Sequence, residues 1–213
     1  MLNRWCQPFP GRETDKMTSL RLGRRLACCA TAWARAVVAV VAVGALQGSA
    51  RAAESCPALL QQTMARLQDE APLNLCQFSG RVLLVVNTAS YCGFTPQYEA
   101  LEQLHARYAA RGFTVLGFPS NDFRQEPKDN KTVADFCFNT YGVKFPMFAK
   151  SSVVGQTASP FFQSLAQASD APDWNFHKYL LDRQGHVAAS YDSAVQPLDP
   201  RITGRIEQLL SDH

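Results

Sequence analysis

One cysteine stands where a thiol can be turned into a nucleophile. In the stretch VNTASYCGFTPQY, Val86 to Tyr98, Cys92 follows an apolar run, RVLLVVNTAS, and precedes a helix-start signal, TPQYEALEQLHARY. A thiol attacks only as thiolate, and a free cysteine, with a pKa near roughly 8.5, is mostly protonated at neutral pH. The unpaired N–H groups and dipole of a helix N-terminus favour the anion by about 0.3 to 1 kcal/mol. Further donors are therefore expected. His105, His177, His186 and His213 occupy ordinary positions, and His105, beside Leu104 on a helix, reads as a surface or packing residue. Neutral donors are the alternative. GFPSNDFRQEP places Asn121 and Gln125 in a loop, and DWNFHKYLLD places Trp174 and Asn175 at the mouth of a hairpin. An indole N–H only donates and a side-chain amide donates twice, which suits a sulfur anion and a departing oxygen. Each residue taken singly has a plainer explanation, a core tryptophan or a turn-forming asparagine.

The elements that must position these groups are legible. Val82 to Asn87 is continuously apolar apart from its last residue, as in a strand buried on both faces. A helix is expected from about Pro96 to Ala110, with Thr95 as its cap, Pro96 at the first helical position and Gly112 closing it. Leu101, Leu104 and Tyr108 form its inward face. Phe113 to Phe118 is a second buried strand, so Val82 to Phe118 is a βαβ unit with a parallel pair. Helices follow at Thr132 to about Tyr141, near Pro160 to Ala168, and at about Pro200 to Leu210. FHKYLLD and HVAASY flank the turn RQG as a hairpin. A parallel half joined to an antiparallel half predicts an α/β protein of thioredoxin-like fold, a mixed central sheet flanked by helices. Functional groups in such sheets gather beyond the carboxyl ends of the strands, where Cys92 lies.

The first fifty of the 213 residues differ from the rest. Arg21, Arg24 and Arg25 precede AVVAVVAVGAL, about the length of a signal h-region, and Ala50-Arg51-Ala52 fits a small-x-small cleavage pattern. Residues 1–52 are expected to be an export signal cut after Ala52, with Met1 or Met17 as the start, leaving 53–213 as one domain in the periplasm or outside the cell. An uncleaved anchor is the alternative, opposed by Arg35. Cys28 and Cys29 lack a lipid-attachment context, and Arg24-Arg25 lacks that of a twin-arginine address. The remaining segment holds 13 Lys and Arg against 16 Asp and Glu, with no basic cluster, so a nucleic-acid partner has no support. Four of the seven cysteines lie there: Cys56, Cys76, Cys92 and Cys137. None is spaced as C-x-x-C, which also disfavours a zinc site and thiol–disulfide oxidoreductase chemistry.

Taken together, NTASYCGFTPQY, GFPSNDFRQEP, YGVKFPMFAK and WNFHKYLLDRQG make residues 78–210 resemble the glutathione peroxidase family, in the family's order. The resemblance implies a peroxidatic Cys92, completed by Gln125, Trp174 and Asn175. It implies no bound cofactor or metal, a peroxide substrate, and a thioredoxin-like dithiol or glutathione as reductant. Phe94 and Phe123 are expected to exclude water around the thiol. Cys137 occupies the place of a resolving thiol; a small buried residue on an amphipathic helix is the competing interpretation. No Lys or Arg occurs from Val187 to Pro200, which favours the dithiol route over glutathione. Three departures stand out: Asp122 where relatives usually have Gln, Ser120 where many have Cys, and a loop one residue shorter before QEP. The absence of an insertion between FFQSLAQ and WNF points to a monomer. Cys56 and Cys76 are expected to form a structural disulfide, with a free buried pair as the alternative. A redox sensor that passes oxidation to a partner remains the rival to a peroxidase.

Overall fold

Seven consecutive residues, Val82–Thr88, are buried on both sides of the chain, and they form the strand around which the fold is built. The computed structural model describes residues 56–212. The expected signal over 1–52, its cleavage point after Ala52 and the cysteines at 28 and 29 lie outside the described residues. In chain order the elements are β1 (Thr63–Ala65), β2 (Pro72–Asn74), β3 (Val82–Thr88), α1 (Gln97–Tyr108), β4 (Phe113–Pro119), α2 (Asn130–Tyr141), α3 (Pro160–Ala168), β5 (Lys178–Leu181), β6 (Val187–Tyr191) and α4 (Pro200–Ser211).

The main sheet has the order β4-β3-β5-β6. β3 and β4 run parallel, Val82 opposite Phe113 through Thr88 opposite Pro119, with α1 as the crossover. β5 lies antiparallel to β3, and β6 antiparallel to β5. This mixed sheet with flanking helices is the expected thioredoxin-like arrangement.

The unbroken apolar run of β3 follows from the two-residue period of a strand. Val82, Leu84 and Val86 enter one core with Leu101, Leu104 and Tyr108 of α1, Val133 and Cys137 of α2, and Ile202 and Ile206 of α4. Leu83 and Val85 enter the other with Leu116, Phe118, Tyr179 and the α3 residues Phe161, Phe162 and Leu165. Both faces are covered over Val82–Val86, which is why that stretch is apolar throughout; Asn87 and Thr88 at the end of the strand are polar and buried as well.

Helix ends carry local signals. Asp129 caps α2 by accepting from the Thr132 amide at 2.8 Å, and Ser159 and Asp199 cap α3 and α4 in the same way. After α1 a short 3₁₀ turn, Ala109–Arg111, runs into Gly112, whose φ of 92° is the left-handed conformation that favours glycine. Thr95 does not cap α1, contrary to expectation: the helix starts at Gln97, with Pro96 before it making no side-chain cap. Its hydroxyl accepts from the Cys92 amide at 3.0 Å and donates to the Ala89 carbonyl at 2.9 Å, so it is spent inside the cysteine turn.

The β1–β2 hairpin, Thr63 opposite Asn74, was not foreseen, because strands of three residues carry too little alternation. Cys56 and Cys76, 20 positions apart in sequence, are joined by a disulfide that brackets this hairpin, with Cα atoms 5.3 Å apart. Closing a loop of that length stabilises the folded state by about 3 kcal/mol in the chain-entropy account. A Cys56→Ala, Cys76→Ala protein is expected to lose roughly that much in urea denaturation. A loss well under 1 kcal/mol would show that the bridge adds little to stability.

Candidate active site

Cys92 lies between the carboxyl end of β3 and the first turn of α1, in a loop pinned at several points. The Ser90 amide donates to the Glu126 carboxylate. Tyr91 donates its amide to the Gln125 carbonyl at 3.0 Å, and the Thr95 amide reaches the Cys92 carbonyl at 3.0 Å. The sulfur itself accepts one hydrogen bond, from the Phe94 amide at 3.4 Å. That donor belongs to the turn that leads into α1. Cys92 is 7% exposed, while Tyr91 beside it is 66% exposed. A Cβ placed on Gly93 would meet nothing within 4 Å, so the thiol sits at a rim open on that side.

Two further loops converge beside it. Gln125 follows Arg124, a non-glycine residue at φ 60°, and Asn175 precedes Phe176, another at φ 67°. The Asn175 amide donates to Gln125 Oε1 at 2.9 Å, across 50 positions of sequence. Asn87, the penultimate residue of β3, donates to the Trp174 carbonyl at 3.0 Å and accepts from the Phe176 amide at 2.6 Å. The Trp174 ring packs on Phe123, centroids 5.1 Å apart, and the residue is 41% exposed. Trp174, Asn175 and Gln125 thus form one connected group. Their indole and amide donors make no hydrogen bond to Cys92 Sγ; Asn175 gives one amide hydrogen to Gln125 Oε1, while Gln125 accepts there and keeps its own Nε2 hydrogens. Asn175 Oδ1 is buried without a partner.

The departure at Asp122 has a structural cause. Its carboxylate accepts from the amides of Val153 at 2.6 Å and Val154 at 3.1 Å and from the Ser152 hydroxyl, tying the Gln125 loop to the segment before α3. An anion satisfies several donors where a glutamine carbonyl serves two. Ser120, fully buried, takes the Asp122 amide at 3.3 Å.

Glu126 is a site residue that the sequence reasoning missed, although it stands inside the QEP block. It is buried, holds the Ser90 amide two residues before Cys92, and leaves Oε1 unpartnered. Burial pushes its carboxyl up to about 7, against the lowering effect of Ser90 and Lys150. Between its unfolded value near 4.5 and about 7 the folded protein binds more protons than the unfolded chain, so this group makes stability fall as pH rises through that window. Glu126→Gln is expected to be no more stable than the parent at pH 4. By pH 8 it gains at most about 3 kcal/mol, read by urea denaturation at each pH. A gain that shrinks with rising pH would refute this assignment.

Cys137 lies on α2, fully buried, its thiol donating to the Tyr98 hydroxyl at 3.5 Å. Burial pushes it up to about 12, and Glu126 adds to that direction. Tyr98 shifts upward for the same first reason, with Cys137 contributing. Cys92 and Cys137 are both free thiols in one core. Phe94 packs half-buried against that core, while Phe123 belongs to the rim under Trp174. His105 is buried rather than superficial; its Nδ1 accepts the Val115 amide at 3.4 Å, and burial draws the ring down to about 4. Among the described residues no three His, Cys, Asp or Glu side chains gather as a metal site.

A free cysteine at the carboxyl end of a central strand, at the mouth of a helix in a thioredoxin-like sheet, defines a thiol-dependent oxidoreductase. The sequence model of the glutathione peroxidase family matches residues 60–166. The hydroperoxy fatty acid reductase of Synechocystis is 48% identical over 154 residues, 67% of this chain and 90% of that protein. The glutathione peroxidase-like peroxiredoxin of Schizosaccharomyces pombe is 45% identical over 136 residues, 61% and 86% of the two chains. The crystal structure of T. cruzi GPX1 superposes with a TM-score of 0.58 at 29% identity, across 71% of this chain and 95% of that one. The chain belongs to the glutathione peroxidase family, and it is a thiol peroxidase that reduces hydroperoxides.

Proposed function

We propose that Cys92 is the peroxidatic residue of an exported peroxidase acting on hydrogen peroxide and organic hydroperoxides. The observation that carries this is the Cys92 sulfur itself, held at the rim beyond β3 with the Phe94 amide donating to it. The thiolate attacks the distal oxygen of the peroxide. The O–O bond breaks, water or an alcohol leaves once protonated, and Cys92 becomes a sulfenic acid. Gln125, Trp174 and Asn175 supply the donors that meet the departing oxygen, with the Asn175–Gln125 bond holding the two amides side by side and the Gln125 Nε2 and Trp174 Nε1 hydrogens left for the substrate. The exposed rings of Tyr91 and Trp174 offer apolar surface at the mouth, which suits an organic hydroperoxide such as the one named for the Synechocystis relative.

Cys137 then condenses with the sulfenic acid, releasing water and forming a disulfide that a thioredoxin-like dithiol reduces; glutathione is the competing donor. Because Cys137 is buried and bonded to Tyr98, its turn of α2 must unwind first. That same burial favours a second reading, a sensor or relay in which resolution is slow and oxidation passes to a partner. The Cys56–Cys76 disulfide supports an oxidising compartment, and with it a signal removed after Ala52 to leave 53–213 as a monomeric periplasmic or secreted domain. Among the described residues no helix is long and apolar enough to cross a membrane. Steady-state peroxide reduction with a thioredoxin system and with glutathione, run side by side, tests the assignment. Many equivalents consumed per chain with the dithiol are expected; a single stoichiometric oxidation moves the protein to the sensor class.

A further inference from the structure

Lys178 is the first residue of β5 and is completely buried, yet the peroxidase chemistry above makes no use of it. It lies opposite Val86 of β3, on the face that also carries Cys92 and Cys137. Its Nζ donates to the Phe176 carbonyl at 2.7 Å and to the Ser193 carbonyl at 3.4 Å. The Ser193 carbonyl also accepts Gln97 Nε2 at 2.7 Å, from the first residue of α1 behind the Cys92 turn. One buried amine therefore connects the start of the helix after Cys92 to the turn that carries Trp174 and Asn175.

What that amine holds is a residue in an unfavourable conformation. Phe176 has a φ of 67°, where a bulky side chain is rarely found. Such outliers persist only where their surroundings over-determine them, and they cluster at functional sites. Two contacts over-determine Phe176: its amide on the Asn87 carbonyl and its carbonyl on Lys178. With the second contact removed, the Phe176 carbonyl would be left buried and unpaired, and the Asn87 contacts alone would hold the turn that carries Trp174 and Asn175.

We propose that Lys178 is a positioning residue for the peroxidatic site, clamping Phe176 in its left-handed conformation so that Trp174 and Asn175 face the peroxide bound at Cys92. The inference rests on Cys92 being the peroxidatic residue. Burial draws the ammonium down to about 7, with Asp192 opposing. Charged or neutral, Nζ keeps a hydrogen for the Phe176 carbonyl, so the clamp does not depend on its protonation.

The test uses the full chain with Lys178→Met, which keeps length and loses the donor, and Lys178→Arg, which keeps a donor. Two rate constants are measured for Cys92 in each protein, oxidation by hydrogen peroxide and alkylation by iodoacetamide. Peroxide needs the placed donors, while alkylation needs only an accessible thiolate. The methionine variant is expected to lose about tenfold to a hundredfold in oxidation and to keep its alkylation rate, with arginine restoring part of the loss. Equal loss in both reactions, or none in either, overturns the proposal. A second measurement needs no variant: the ¹³Cε resonance of Lys178 in the parent protein should move when Cys92 is oxidised, and an unmoved signal counts against the clamp. Parent protein whose Cys92 is not oxidised by peroxide would instead sink the assignment of Cys92 and leave the geometry of Lys178 untouched.

Discussion

Cys92→Ser is expected to abolish peroxide consumption, lowering the rate by at least about a thousandfold whichever reductant is supplied. A serine hydroxyl cannot become the anion that attacks an O–O bond at neutral pH, and the other free thiol among the described residues, Cys137, is fully buried while Cys56 and Cys76 are bridged. The Phe94 amide that now faces the sulfur would face an oxygen with the same local geometry, so the fold should be unaffected. Peroxide consumption by the purified full chain, followed with a thioredoxin system and with glutathione, measures the effect. Residual turnover above a few per cent would place the reactive sulfur elsewhere.

The second large effect separates oxidation from recycling. Cys137→Ser should still consume one equivalent of peroxide at the parent rate. Steady turnover with a dithiol donor should fall by about a hundredfold or more, because the sulfenic acid then has no internal partner. A burst of one equivalent followed by a near-flat line is the expected trace, with mass analysis showing Cys92 carried on to sulfinic acid at higher peroxide. The structure adds a condition on this step. Cys137 sits fully buried on α2 with its thiol on Tyr98, and the burial that pushes it up to about 12 keeps it protonated there. Resolution therefore waits on α2 opening, and amide exchange in α2 should rise when Cys92 is oxidised. Retained turnover in the serine variant would transfer the resolving role to glutathione or to another thiol.

Much of the fold was legible because both faces of β3 and β4 are covered, which makes both strands mostly apolar and leaves a sequence signal no surface strand has. The helices after Thr95, near Thr132, at Pro160 and at Pro200 were visible for a related reason, since apolar spacing and terminal prolines are local properties. Thr95 shows the limit. A threonine before a proline reads as a cap, but the folded chain turns its hydroxyl back onto Cys92 and Ala89, partners fixed by the loop and not by helix propensity. The β1–β2 hairpin escaped notice because its strands are short and its stability is shared with a disulfide.

By itself, the sequence determined that a lone cysteine ends a buried strand ahead of a helix, and which blocks of chain carry candidate donors. It could not determine which donor meets which acceptor. Gln125 and Asn175 bond across 50 positions, Glu126 reaches back to Ser90, and Lys178 holds Phe176 and Ser193. Apart from the local Lys178–Phe176 contact, these pairings arise from the order β4-β3-β5-β6, which brings three loops to one end of the sheet. The two buried charged groups show the physical reason most plainly. Burying a carboxyl or an amine is unfavourable in isolation and is tolerated only where hydrogen-bond partners wait in the fold; Glu126 finds Ser90 from 36 positions away, and Lys178 adds Ser193, 15 positions away, to the nearby Phe176 carbonyl.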